Sequence, residues 1–176
     1  IVRSLVGERA VRQTGEFARF GIEIKTVPVG AQGKIIEAMS FPAFHHEELI
    51  YETWESSDLL GRLNRLLIVP VHREKSAPLG LTRLGVPFFW SPTEEDLAGI
   101  ASEWERFRHL IELGQARGLP KSSETTYIHV RPKARNASDR DLAPGGFDVI
   151  KKCFWLNQSY VSRILDANDA LRLPRH

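Results

Sequence analysis

In Phe20-Gly21-Ile22-Glu23-Ile24-Lys25-Thr26-Val27-Pro28-Val29 the apolar residues fall at 20, 22, 24, 27 and 29, a spacing that predicts a strand and therefore a sheet for it to join. Side chains of an extended chain alternate between faces. Ile22 and Ile24 then point one way and Glu23 and Lys25 the other, with the Cα atoms of the charged pair roughly 6.6 Å apart. A carboxylate and an ammonium are set side by side on one face. A hard cation such as Mg²⁺ takes carboxylate oxygens and keeps several of its waters, and a neighbouring lysine can orient one of those waters or balance charge on a phosphate under attack. Glu-x-Lys on a strand, after an earlier acid, is the pattern of metal-dependent phosphodiester hydrolysis. Glu16 supplies that acid, seven residues before Glu23. The same pair also occurs as an ordinary ion pair on an exposed strand, and the residues alone leave both readings open.

The remaining sequence bounds the setting. A chain of 176 residues, 42% apolar, has the size and the apolar content of one ordinary domain with a substantial core. Its single cysteine, Cys153, excludes an internal disulfide framework and a multi-cysteine zinc cluster, and suits a reducing cytosol. No apolar run approaches a membrane span, so no membrane partner and a cytoplasmic location are expected. The first residue is Ile rather than Met, and the chain reads as an excerpt or remnant of something longer. Net charge is only +2, with 24 basic and 22 acidic residues, but the signs segregate. Arg3, Arg9, Arg12 and Arg19 precede the strand, and Arg131, Lys133, Arg135, Arg140, Lys151 and Lys152 gather in the last third; acids concentrate in residues 47–58 and 94–112. Such segregation favours one basic face for a polyanion.

Along the chain, residues 1–11 read as the end of a helix. Residues 30–34 make a turn into 35–41, an antiparallel partner for the first strand. His45, His46, Glu47 and Glu48 lack ligand spacing, since adjacent residues do not share a face, and read as a polar surface turn. Ser57 or Asp58 caps a short helix, residues 66–71 form a strand covered on both faces, and 86–90 form a short edge strand. Ser91, Pro92 and Glu94 sit as N-cap, N1 and N3 of a long helix carrying Leu97, Ile100, Ala101, Trp104, Phe107 and Ile111 at helical spacing. A β-prone run at 125–130 and a final helix at 157–165 complete a compact α/β or α+β domain with a mixed sheet. His72, His109 and His129 read as packing or surface residues, and Trp54 as core or as a brace for a cleft.

The motifs at 21–29, 54–57 (Trp-Glu-Ser-Ser), 67–71, 88–92 (Phe-Phe-Trp-Ser-Pro), 113–115, 130–134 (Val-Arg-Pro-Lys-Ala), 136–137 and 150–154 share their order and spacing with the MutH family, which the chain resembles from about Gly21 to Leu165. That family comprises mismatch-repair nicking endonucleases and type II restriction endonucleases that cut at GATC. The resemblance implies the PD-(D/E)xK fold, an α/β (α+β) arrangement with a mixed central sheet flanked by helices, and a cleft for double-stranded DNA. It places Glu23 on the family's metal-binding Glu and Lys25 on its catalytic Lys, with Glu16 and Glu23 holding Mg²⁺. It places Arg131 and Lys133 on the loop that reads GATC and its adenine methylation, where Arg to guanine O6 and N7 is the expected contact. Lys151 and Lys152 are expected on phosphates.

The chain departs from the family at three points. Gly15-Glu16 replaces Pro-Asp, lengthening the first ligand by one methylene; Arg62 stands where the family has a second active-site lysine; Val149 stands for a tyrosine before Lys-Lys. The stretch from Glu37 through Ile50, with Trp54-Glu55, is also more similar to the second, effector-type domain of two-domain GATC restriction enzymes. Residues 1–176 are therefore expected to form a single MutH-like domain excerpted from a two-domain chain, binding GATC as an effector beside a catalytic domain of the same chain and requiring no metal of its own. The alternative is a self-sufficient Mg²⁺-dependent endonuclease using Glu16, Glu23, Lys25 and Arg62.

Overall fold

The computed structural model describes residues 20–73 and 82–172, so the expectations for Glu16 and for the helix at 1–11 lie outside the described residues. The chain gathers into two compact units, neither contiguous in sequence: one from residues 1–37, 61–91 and 161–176, the other from 38–60 and 92–160. Among the described residues no helix is long and apolar enough to cross a membrane.

The first unit holds a mixed sheet. β1 (Glu23–Val29) runs parallel to β3 (Leu66–His72), which pairs antiparallel with β4 (Arg83–Leu84) and β5 (Phe88–Trp90). β3 is the apolar run its sequence predicts, and Leu66, Ile68 and Val71 are buried. The expected partner of β1 at residues 35–41 does not form. After a 3-10 turn at Ala31–Gly33 the chain makes one isolated antiparallel bridge, Val29 to Ile35, and then leaves the sheet. Gly33, at φ 75°, lies where a Cβ would stand 3.0 Å from the Leu171 carbonyl oxygen, so both its backbone and its surroundings require glycine.

In the second unit, β2 (Met39–Phe44) and β6 (Ile128–Pro132) flank β9 (Lys152–Leu156), both antiparallel to it. A hairpin of β7 (Arg140–Ala143) and β8 (Phe147–Ile150) turns through Gly145 and Gly146, both at positive φ. The long helix, Glu94–Glu112, buries Ile100, Trp104, Phe107 and Ile111 at the predicted spacing. Its cap is Thr93, whose Oγ1 accepts the Asp96 N–H at 3.1 Å, rather than Ser91, whose hydroxyl donates to the Asn64 carbonyl. Numbered in chain order, the helices are α1 (His46–Leu49), α2 (Asp58–Leu63), α3 (Glu94–Glu112) and α4 (Gln158–Ala167). Ser57 caps α2 by accepting the Leu60 N–H at 3.2 Å. Trp54, half-buried, packs on the fully buried Trp104 with ring centres 5.8 Å apart.

Candidate functional site

In the first unit, the apolar phase of β1 shifts along the strand. Val27 and Val29 are buried, and they share parity with Lys25 and Glu23. The partners of Glu23 and Lys25 across the parallel ladder are Leu66 and Ile68, both fully buried. The acid and base therefore occupy the end of the face that becomes core, not a solvent face. Their side chains are 22% and 13% exposed, and Lys25 Nζ lies 2.6 Å from Glu23 Oε1. A half-desolvated pair of this kind is costly unless geometry compensates. Compensation comes partly from Arg62 of α2, whose Nη1 donates to Glu23 Oε2 at 3.1 Å.

Three of the four expected catalytic side chains thus meet within the first unit. Glu23 offers two hard oxygens at a partly open position, the donor type that Mg²⁺ takes with one or two carboxylates, substrate phosphates and water. The donor set fits such an ion, with one condition: Lys25 and Arg62 each hold one of the oxygens, so a cation must displace or share with one of them. Among the described residues no group of three or more His, Cys, Asp or Glu could hold a metal.

In the second unit, the expected DNA-contacting residues behave differently from one another. Arg131 is exposed at the end of β6, its guanidinium 5.8 Å from the centre of the Trp155 ring. Lys133 Nζ donates to the Phe41 carbonyl at 2.5 Å and to Ser40 Oγ at 3.1 Å. Lys151 pairs with Asp139 at 2.8 Å, and this lysine, with the Arg135 N–H, holds the Asp139 carboxyl below its usual range. Lys152 is half-buried and donates to the Ala116 carbonyl; burial lowers its pKa. Val149 is buried and paired with Asp141 in the hairpin.

His46 corrects the expectation of a polar surface turn, while His45, Glu47 and Glu48 are exposed as expected. His46 is fully buried, and Asp141 accepts from its Nδ1 at 2.6 Å, from its backbone N–H at 2.8 Å and from His45 Nδ1 at 3.1 Å. The two residues anchor the β7–β8 hairpin to the start of α1. Burial pushes Asp141 up, but these hydrogen bonds outweigh it and its pKa falls below the usual carboxylate range. His46, His72 and His129 are all lowered, in each case first by burial, with Asp141 and Asn157 opposing the shift at His46 and His129. The sign follows from proton uptake. The unfolded chain binds protons at these histidines below about pH 6.5 while the folded chain resists, so stability is full above that pH and is lost as pH falls. Urea midpoints read by tryptophan fluorescence should be lower at pH 5.5 than at pH 7.5; equal midpoints would contradict the burial of these rings.

The mixed sheet with an acid–lysine pair at the end of its parallel strand pair is the arrangement of a restriction-endonuclease-like nuclease. The model of the family described as "DNA mismatch repair enzyme MutH" matches residues 9–103. DNA mismatch repair protein MutH from Shigella flexneri is 32% identical over 154 residues, covering 85% of this chain and 67% of that protein. MutH from Escherichia coli aligns with the same identity and coverage. The chain belongs to the MutH family, a family of endonucleases with this fold and a general dependence on divalent metal.

Proposed function

We propose that this chain is a MutH-type endonuclease domain that cleaves duplex DNA at GATC with Mg²⁺. Residues 1–176 act as one domain, with the chemistry in the first unit and the reading of sequence in the second; a cytoplasmic location goes with that role. The observation that carries the reading is the Glu23–Lys25 pair on the buried face of β1. A solvated ion pair has no reason to occupy that face, whereas a catalytic pair needs partial exclusion of water.

In this reading Glu23 and Glu16 hold the metal, which when bound lowers the pKa of a water and stabilises charge on the phosphate. Lys25 Nζ, fixed 2.6 Å from Glu23 Oε1, orients the attacking water by donation. Arg62, bonded to Glu23 Oε2 in the DNA-free chain, places a permanent positive charge beside the same carboxylate, ready for phosphate oxygen. Arg131 reads guanine from a strand end that Lys133 ties to Ser40 and the Phe41 carbonyl, and Lys151 serves the DNA backbone, while Lys152, turned inward to the Ala116 carbonyl, braces the strand behind it. Arg131→Ala should weaken binding to a GATC duplex by about 1–3 kcal/mol relative to a scrambled one, measured by competition gel shift. Equal loss on both duplexes would contradict base reading.

A second reading is supported by the Arg62–Glu23 bond itself. A guanidinium in place of the family's lysine occupies a carboxylate oxygen, as expected of an effector domain that binds GATC beside a catalytic domain of the same chain and does not cut. The combined variant Glu16→Asp, Arg62→Lys separates the two. The endonuclease reading predicts faster cleavage than wild type, by about tenfold or more, since a ligand misplaced by about 1 Å can cost about 10²-fold. No cleavage by either protein, with binding intact, favours the effector.

A further inference from the structure

We propose that Trp155 is the positioning residue for Arg131 and so a determinant of site preference; this rests on the reading of Arg131 as the base-contacting residue. The register of the second unit's sheet puts the two together. β6 and β9 pair His129 with Trp155 and Arg131 with Cys153. His129, Arg131 and Trp155 therefore share one face, and Arg131 is the diagonal neighbour of Trp155, within reach of a long side chain. The guanidinium carbon stands 5.8 Å from the ring centre, inside the range of a cation–π contact.

Trp155 is itself immobilised. The His129 ring stacks on it at 6.4 Å and 18°. His129 Nδ1 donates to Asn157 Oδ1, and Asn157 Nδ2 donates to the Thr125 carbonyl at 2.8 Å. On the other side β2 pairs Ser40 with Trp155, and Lys133 reaches from the end of β6 to Ser40, across the strand that carries Trp155. The indole is thus the centre of a three-strand platform whose two outer strands are tied down.

A guanidinium lying on a fixed aromatic face loses rotamers before DNA arrives, and its planar fork is presented in one orientation. Bidentate reading of a base edge depends on that orientation, whereas attraction to phosphate depends only on charge. Trp155 should therefore act on the ratio of site to non-site affinity and leave the salt dependence of non-specific binding unchanged.

The test is a double-mutant cycle on the full chain, with Trp155→Leu, Trp155→Phe, Arg131→Ala and Arg131→Ala/Trp155→Leu, each competed between GATC and scrambled duplexes. Trp155→Leu is expected to lower the preference about two- to fivefold in the Arg131 background and to have no effect once Arg131 is Ala. Trp155→Phe, which keeps an aromatic face and guards against a folding artefact, should retain most of the preference. An equal effect of Trp155→Leu in both backgrounds, or none in either, would overturn the proposal. Failure of Arg131→Ala to change preference would instead refute the underlying reading of Arg131.

Discussion

Glu23→Gln is expected to lower cleavage at GATC by about 10²- to 10³-fold while leaving affinity for the same duplex nearly unchanged. Gln keeps the volume and one carbonyl oxygen but removes the charge that holds a hard cation. Lys25 at 2.6 Å and Arg62 at 3.1 Å then face a neutral amide, and the site becomes more positive by one charge. Positive charge attracts phosphate, which is why binding persists. The carboxylate is only 22% exposed, so loss of its charge is expected to cost about 2–4 kcal/mol, visible as a lower thermal unfolding temperature, and cleavage is compared where both proteins are folded. Single-turnover cleavage with wild-type protein alongside measures the effect, and a variant that cuts within tenfold of wild type would remove Glu23 from the reaction.

Glu103→Ala is expected to destabilise the fold by about 2–4 kcal/mol. The Glu103 carboxylate of α3 accepts three consecutive backbone N–H bonds, from Thr126 at 2.5 Å, Tyr127 at 3.0 Å and Ile128 at 2.8 Å. One turn earlier, Gly99 lets Tyr127 lie against the helix: a Cβ there would stand 2.2 Å from the ring. Positions 99 and 103 share a helix face, so together they fix the chain as it enters β6, three residues before Arg131. Alanine leaves all three donors without the carboxylate, and Gln restores one acceptor oxygen. Urea unfolding should rank wild type above Glu103→Gln above Glu103→Ala, and the Ala variant should also lose GATC preference. A change under about 0.5 kcal/mol would show that water substitutes fully for the carboxylate.

What the sequence made legible was local. Alternation over ten residues located β1, periodicity located α3, and Glu-x-Lys with its family context located the acid–base pair. The face that pair occupies was not legible from residues 20–25. The apolar positions change phase at Thr26, and only pairing with Leu66 and Ile68 reveals which phase is core. Longer-range pairing explains the other misses. Residues 35–41 read as a hairpin partner of β1, but Met39 and Ser40 pair with Leu156 and Trp155, more than a hundred residues away. His46 read as polar surface because Asp141, its acceptor, lies 95 positions on. The β7–β8 hairpin has only four residues in each strand, and Pro144-Gly145-Gly146 was its one available signal. Trp155 had no local mark at all: its neighbours on either side come from β2 and β6.

Strand breaks in a labelled duplex with a single GATC, read on a denaturing gel in Mg²⁺ beside a scrambled duplex and an EDTA control, decide whether this chain cuts DNA. Breaks confined to GATC, absent in EDTA and lost in Glu23→Gln, are the predicted result. Intact DNA under conditions where a native gel shows the GATC duplex bound would contradict the endonuclease reading and leave a recognition domain.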